Sequence, residues 1–336
     1  MGRARAVWFT APRTVELREE AIGRPGPGEI LVETVISAIS HGTEMLVYRG
    51  EVPPESSLDL PTLAGSFGYP IKYGYASVGR VVEAGGEVGG VSAGDPVFAL
   101  HPHQTRFVVS ASLAWRLPPT LGPERGIFAA NVETALNALL DAPIRIGERV
   151  VVFGQGVVGL LVGLLARRNG AGRVVVVDRY RRRREVALAL GADAALAPSD
   201  SLAAELRAAL EDAPADVAFE ASGNPAALQA AIDSVADEGT VVACSWYGTK
   251  PVTLALGGHF HRGRVRLRST QVGRLDPGLA PRWTLARRTS VVTRLLETLP
   301  LDSLITHRVP LSQAAWAYQL VDEQPEETVQ VALAYD

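Results

Sequence analysis

The residue types and spacings most suggestive of chemistry lie in one short run, Val150-Val151-Val152-Phe153-Gly154-Gln155-Gly156-Val157-Val158-Gly159. An apolar strand leads into Gly154 and a helix opens at Val157. In that setting Gly154 permits a tight turn, Gly156 lets the backbone approach a pyrophosphate, and Gly159 lets the helix pack closely on the strand. Free amides at the helix start then face the anion. Gly154, Gln155, Gly156, Val157, Val158 and Gly159 are therefore candidates for holding a dinucleotide. A second apolar strand ends at Asp178, where an acid for the adenosine ribose hydroxyls belongs. A carboxylate there repels a 2′-phosphate, which favours NAD. Arg179 and the run Arg181–Arg184 have two readings: a solvated, basic start to the next helix, or a guanidinium clamp for the phosphate of NADP. The cofactor expectation is NAD, with NADP as the rival.

Other candidates follow from position. Thr134 is expected near the nicotinamide end. Ser222 and Gly223 close one apolar strand, and Ser245, Trp246 and Tyr247 close the next, where ligands bind in sheets of this kind. In the extended stretch His101-Pro102-His103 the two imidazoles share a face. With His41 and Glu44 they could form a metal site, or each could be a satisfied core histidine.

The elements that carry these residues change character near Glu124. Before it, short β-branched runs (Glu29–Val35, Ser77–Glu83, Asp95–Leu100, Arg106–Val109) alternate with Pro and Gly, as in a small antiparallel barrel or sandwich. The glycine-rich stretch Ala84–Asp95 is a loop between two such strands and lacks the strand–turn–helix setting of a phosphate cradle. After Glu124 the pattern predicts helices at Glu133–Leu140, Val157–Asn169, Arg182–Leu190, Leu202–Glu211 and Pro225–Ala236. Between them it predicts strands at Arg149–Phe153, Arg173–Val177, Val217–Glu220, Gly239–Ser245 and Arg264–Ser269. Apolar strands alternating with helices imply a parallel sheet covered on both faces. Helices at Ala286–Leu299 and Ser312–Val321 and a strand at Thr328–Ala334 suggest a tail that returns to the first domain.

Composition removes several function classes. Three hundred and thirty-six residues suit two packed domains, and a net charge of −3 is not that of an electrostatic nucleic-acid binder. Lys72 and Lys250 are the only lysines, so the basic residues are nearly all arginine and a single Arg is weak evidence. One cysteine, Cys244, rules out an intramolecular disulfide and any site built on several thiolates. The longest apolar stretch, Val157–Ala166, is far short of the roughly 20 residues a membrane span needs. The expectation is a cytoplasmic protein acting on a small molecule, with no nucleic-acid or membrane partner.

Several blocks, taken in order, carry a family likeness. They are Ser40-His41-Gly42-Thr43-Glu44, Gly74-Tyr75-Ala76-Ser77-Val78-Gly79-Arg80-Val81, Gly94-Asp95-Pro96-Val97-Phe98, Ile146-Gly147-Glu148-Arg149-Val150, the glycine turn, Leu190-Gly191-Ala192-Asp193 and Phe219-Glu220-Ala221-Ser222-Gly223. Through them the whole chain resembles the medium-chain dehydrogenase/reductase superfamily, the alcohol-dehydrogenase-like group. The first two blocks look most like the branch that contains bacteriochlorophyllide dehydrogenases. The resemblance implies an α/β protein with a GroES-like, β-rich catalytic domain (1–131, completed by 270–336) and a doubly wound Rossmann cofactor domain (132–269). It also implies a homodimer, formed through the sheet edge near Arg264–Thr270.

The departures from the family pattern matter as much as the matches. Zinc-dependent members take their first catalytic ligand from a Cys-Gly-Thr-Asp block, and the Cys position here is His41. Their Gly-His-Glu block reads Gly74-Tyr75-Ala76, and a later ligand falls near Ala130. One imidazole cannot hold Zn²⁺ in a tetrahedral set, so the resemblance implies a zinc-free member with no metal ligands. Hydride transfer then needs positioned protic groups in place of the Lewis acid. The family mapping offers His41, Thr43 and Tyr75, with Glu133 as a carboxylic acid. Each also has a structural reading: a loop histidine, a turn cap, a tyrosine filling the vacated space, and a charge favouring a helix N-terminus. The expected activity is zinc-independent, NAD(P)-dependent hydride transfer between nicotinamide and a secondary alcohol or ketone. The alternatives are an enoyl- or quinone-type C=C reductase and a catalytically silent dinucleotide-binding protein. Arg49, Lys72 and Arg106 could each face an anionic substrate group or solvent.

Overall fold

A computed structural model of the chain describes residues 2–58 and 60–335, which divide into two units: 2–58 and 60–130 with 293–335, and 131–292. In the first unit β1 (Gly2–Ala11) and β2 (Thr14–Ile22) form an antiparallel pair in which Gly2 faces Ile22. Neither was expected from the sequence. Their apolar residues are interleaved with Arg and Glu, and the turn between them is made by Arg13 at φ 57° where no glycine signals it.

The chain continues through β3 (Glu29–Ala38), α1 (Thr43–Arg49), β4 (Ser77–Ala84), β5 (Pro96–Ala99), β6 (Arg106–Ser110), β7 (Ala114–Arg116) and α2 (Pro123–Gly126). β3 buries alternate residues, among them Ile30, Val32 and Thr34, as a sheet with one covered face requires. The short helix α1 buries Glu44 through Tyr48, so tertiary packing rather than amphipathic patterning holds it.

The second unit opens with α3 (Ala129–Asp141), which crosses the division. Its alternating elements are β8 (Arg149–Phe153), α4 (Val157–Arg168), β9 (Arg173–Val177), α5 (Arg181–Ala189), β10 (Ala194–Leu196), α6 (Leu202–Ala209), β11 (Ala215–Glu220), α7 (Pro225–Ser234), β12 (Val235–Ala243), α8 (His259–Arg262) and β13 (Arg266–Ser269). The strands form one parallel sheet in the order β10-β9-β8-β11-β12-β13. This is the doubly wound arrangement, and strand order reverses between β8 and β11, where ligands bind such sheets.

After α9 (Leu285–Thr298) come β14 (Ile305–Pro310), α10 (Ala314–Glu323) and β15 (Gln330–Ala334). β15 pairs antiparallel with β3, Ala332 opposite Ala38, in a seven-stranded sheet ordered β14-β15-β3-β4-β5-β7 with β6 also on β3. The tail therefore returns to the first unit, but later than expected. Residues 270–292, expected with the catalytic domain, group with the second unit. Within that stretch Arg288, 3% exposed, donates to Glu133 Oε1 from Nε at 3.1 Å and from Nη2 at 2.8 Å.

Candidate active site

In the second unit, Gly154 follows β8 with φ +88°, and a Cβ there would lie 2.6 Å from the amide of Ser222. Glycine is thus required both for the turn and for the close approach of the loop that follows β11. Gly159 is pressed against the carbonyl of Gly154, whereas a Cβ on Gly156 would meet nothing within 4 Å. α4 opens at Gly156 with no side-chain cap, so its first amides point into space that an anion suits. Val157 is buried and Val158 half-buried.

Asp178 stands at the end of β9, 7% exposed. Its Oδ2 accepts from the Gln155 amide at 2.6 Å and its Oδ1 from the Tyr180 amide at 2.7 Å. A carboxylate has about four lone-pair sites, so acceptor capacity remains on both oxygens. Gln155, by contrast, turns its side chain inward, donating from Nε2 to the carbonyls of Val152 at 3.1 Å and Gly154 at 2.9 Å. Only its backbone faces the turn. The Arg179 and Arg183 guanidiniums lie over the Tyr180 ring, 4.4 and 4.9 Å from its centre. Arg184 donates to the carbonyls of Asp178 and Arg179, and Arg181 to Glu185.

Beyond β11 a second buried carboxylate organises the loop. Glu220 Oε1 accepts from the Ser222 amide and hydroxyl, both at 2.6 Å, and from the Gly223 amide at 2.9 Å. Its Oε2 accepts from the Tyr247 hydroxyl at 2.7 Å, and Gly223 also donates to Ser245 Oγ at 2.8 Å. Burial, then the Glu220 charge, pushes the Tyr247 phenol far above its ordinary range. The loops after β11 and β12 are thereby tied together, with Trp246 44% exposed beside them. Sequence reasoning had named Ser222, Gly223, Ser245 and Trp246 but not the Glu220 brace. Thr134 occupies the second turn of α3.

Glu133 differs from its expected setting as an acid. Its carboxylate is held by Arg288, whose Nη1 also donates to Asn137 Oδ1 at 2.5 Å. It is one end of a structural chain that continues through Asn137 to Asp141 and Thr270.

In the first unit, Tyr75 is partly exposed, and its hydroxyl donates to Ser40 Oγ. Burial pushes its phenol up to about 12, against the lowering effect of hydroxyl bonds to Ser40 and Thr43 and with a further rise from the Glu44 charge. Thr43 is the first residue of α1, and His41 lies in the turn just before it. His103 does not share a site with His101. His103 is fully buried, with Nε2 2.8 Å from Glu44 Oε1 and Nδ1 2.7 Å from Ser37 Oγ. His101 stacks on Phe107, ring centres 3.8 Å apart, and burial lowers its imidazole to about 4. Among the described residues no group of three or more His, Cys, Asp or Glu is placed to hold a metal ion. Arg49 pairs with Asp322 at 2.6 Å, Lys72 with Glu20 at 2.7 Å, and Arg106 with Glu33.

Comparison with known proteins adds independent evidence. The profile of a family described as zinc-binding dehydrogenase matches residues 157–283. Over 335 residues the chain is 30% identical to 2-desacetyl-2-hydroxyethyl bacteriochlorophyllide A dehydrogenase of Rhodobacter capsulatus, covering 95% of each. The chain belongs to the medium-chain dehydrogenase/reductase superfamily. D-guloside 3-dehydrogenase of Escherichia coli is 27% identical over 347 residues, covering 97% of this chain and 98% of that one. A solved alcohol dehydrogenase from Escherichia coli, complexed with NADH, shares the fold with a TM-score of 0.81 at 20% identity, covering 99% of both chains. No helix among the described residues is long and apolar enough to cross a membrane.

Proposed function

We propose that this superfamily member is a zinc-independent, NAD-linked oxidoreductase acting between an uncharged secondary alcohol and its ketone. The observation that carries the reading is Tyr75, whose hydroxyl bonds to Ser40 where the family pattern has a metal ligand. The donor set does not fit zinc. Tyr75 keeps its proton, Ala130 has no donor atom, and Glu44 and His103 satisfy each other at 2.8 Å.

The glycine turn, the start of α4 and Asp178 would hold the dinucleotide, which when bound supplies or accepts the hydride. The remaining acceptor sites on Asp178 suit two ribose hydroxyls and favour NAD over NADP. In the direction of carbonyl reduction, Tyr75 gives its proton to the substrate oxygen as that oxygen gains negative charge. A phenol near 12 rests in the protonated form at neutral pH. Thr43 supplies a second hydroxyl for the same oxygen. The carboxylate partners of Arg49, Lys72 and Arg106 support an uncharged substrate. The hydroxyethyl group and the guloside carbinol in the two relatives' names are of this class. Cytoplasmic placement and a homodimer through edge strand β13 complete the reading, the latter checked by light scattering against the 35.7 kDa chain mass.

Activity with NADH and a panel of uncharged ketones should survive strong chelators, and elemental analysis should find well under one zinc per chain. Stoichiometric zinc would overturn the assignment. Tyr75→Phe and Thr43→Ala should each lower turnover by about 10²–10³ and change cofactor affinity little. Unchanged turnover in both would move the proton chemistry to His41 or Glu133. Reduction of enones but not saturated ketones would favour the C=C reductase, and tight NADH binding without hydride transfer would favour the silent scaffold.

A further inference from the structure

The Tyr75 phenol belongs to a larger polar assembly. Ser40, which accepts its hydrogen bond, donates from its own amide to Glu44 Oε2 at 3.1 Å. The other oxygen of Glu44 meets His103 Nε2 at 2.8 Å and the hydroxyl of Tyr318. His103 in turn reaches Ser37 Oγ at 2.7 Å, and that oxygen lies 2.8 Å from the Tyr335 hydroxyl. Ser37, Glu44, His103 and Tyr318 are each 0% exposed. Gly74, beside Tyr75, is fitted to the same assembly, because a Cβ there would lie 2.9 Å from His103 Nε2.

A buried carboxylate is costly unless its lone pairs are met, and stability alone does not call for one. Well-packed apolar residues in place of a buried ionic group are often neutral or stabilising. Here the donors come from segments as distant as residues 40, 103 and 318, and the assembly ends on the hydroxyl that touches Tyr75. We infer that Ser40 is a positioning residue that orients the Tyr75 phenol, and that the carboxylate of Glu44, clamped by His103 and Tyr318, fixes Ser40 through its backbone amide.

This inference rests on reading Tyr75 as the proton donor. A serine hydroxyl suits the task because it both accepts and donates. It accepts from the resting phenol; when the phenol turns that same proton to the substrate oxygen and passes it on, the serine hydroxyl rotates to donate to the phenolate that remains. A proton from solvent then restores the phenol. The groups that face Tyr75 are the Ser40 and Thr43 hydroxyls, the Glu44 carboxylate and the ring of Tyr73, centred 6.2 Å away.

The test combines a double-mutant cycle with a spectroscopic measurement. With NADH and uncharged ketones, Ser40→Ala should lower kcat tenfold or more while KM for NADH stays within twofold, and Ser40→Thr should recover most of the loss. In the Tyr75→Phe background, Ser40→Ala should have no further effect. In protein carrying ¹³Cζ-labelled tyrosine, the resonance lost in Tyr75→Phe identifies Tyr75. That resonance should hold its protonated position to pH 10.5 and should move in Ser40→Ala while the other tyrosine resonances stay in place. This readout stands even if no ketone in the panel is turned over. Full activity in Ser40→Ala beside an impaired Tyr75→Phe, multiplicative losses in the double variant, or an unmoved resonance would overturn the positioning role and leave Tyr75 as donor. An unimpaired Tyr75→Phe would overturn both readings.

Discussion

Asp178 and Glu220 in one unit and Glu44 in the other are buried carboxylates satisfied in different ways. In the dinucleotide unit Asp178 and Glu220 are met largely by backbone amides and hydroxyls of nearby loops, such as Tyr180, Ser222 and Gly223. In the β-rich unit Glu44 is met by side chains from remote segments, His103 and Tyr318. An amide held by a strand–turn–helix is a donor whatever the side chain, so the first solution needs only local geometry. The second needs several particular residues to arrive together. It is correspondingly more fragile, and its members can be tuned toward a reaction.

That contrast has measurable consequences. Glu44→Ala strands His103, Tyr318 and the Ser40 amide in a dry interior, so urea unfolding should show a loss of about 3–5 kcal/mol. A loss under 1 kcal/mol would mean that the assembly relaxes without its carboxylate. His101 should reveal the same unit's sensitivity to acid. Its imidazole is held neutral in the fold, with its pKa lowered from 6.5 to about 4. The unfolded chain therefore takes up the proton first, and stability present above pH 6.5 drains away as pH falls toward 4, by about 3 kcal/mol. His101→Phe, which keeps the stack on Phe107, should lack most of that loss between pH 7 and pH 4.

In the dinucleotide unit the effects should be smaller and local. Glu220→Gln keeps one acceptor oxygen and should lower stability by about 1–3 kcal/mol. It should also weaken NADH binding, read as reduced energy transfer from tryptophan to bound NADH. If Asp178 is the ribose acceptor proposed above, Asp178→Ala should shift preference toward NADP by about tenfold, measured as the ratio of kcat/KM values. A wild-type preference for NADP would show that the arginines around Tyr180 dominate. At the far end of the scale, Arg3→Ala breaks an ion pair whose side chains are 83% and 62% exposed and should alter stability by less than about 0.5 kcal/mol.

The same contrast explains what could be read in advance. β8, β9 and the start of α4 match their expected limits, because apolar runs bounded by Gly154 and Asp178 leave few alternatives. β1, β2, β14 and α1 were not anticipated. The strands are charged or short, and α1 is buried with no polar face to give it a periodicity. Among the candidate residues, Gln155 was placed in the right turn but its side chain faces inward. Glu133 was placed near a helix start but is committed to Arg288, 155 residues away.

Apolar strands alternating with helices make the doubly wound unit legible, and glycines at fixed separations mark its turn, since each acts on backbone within a few residues of itself. Apart from the local Ser40 amide, the partners of Tyr75 and Glu44 obey no such spacing. Ser40, His103, Tyr318 and Tyr335 meet only because β15 pairs with β3 and α10 packs beneath α1, and long-range closure of that kind leaves no periodic trace in the chain.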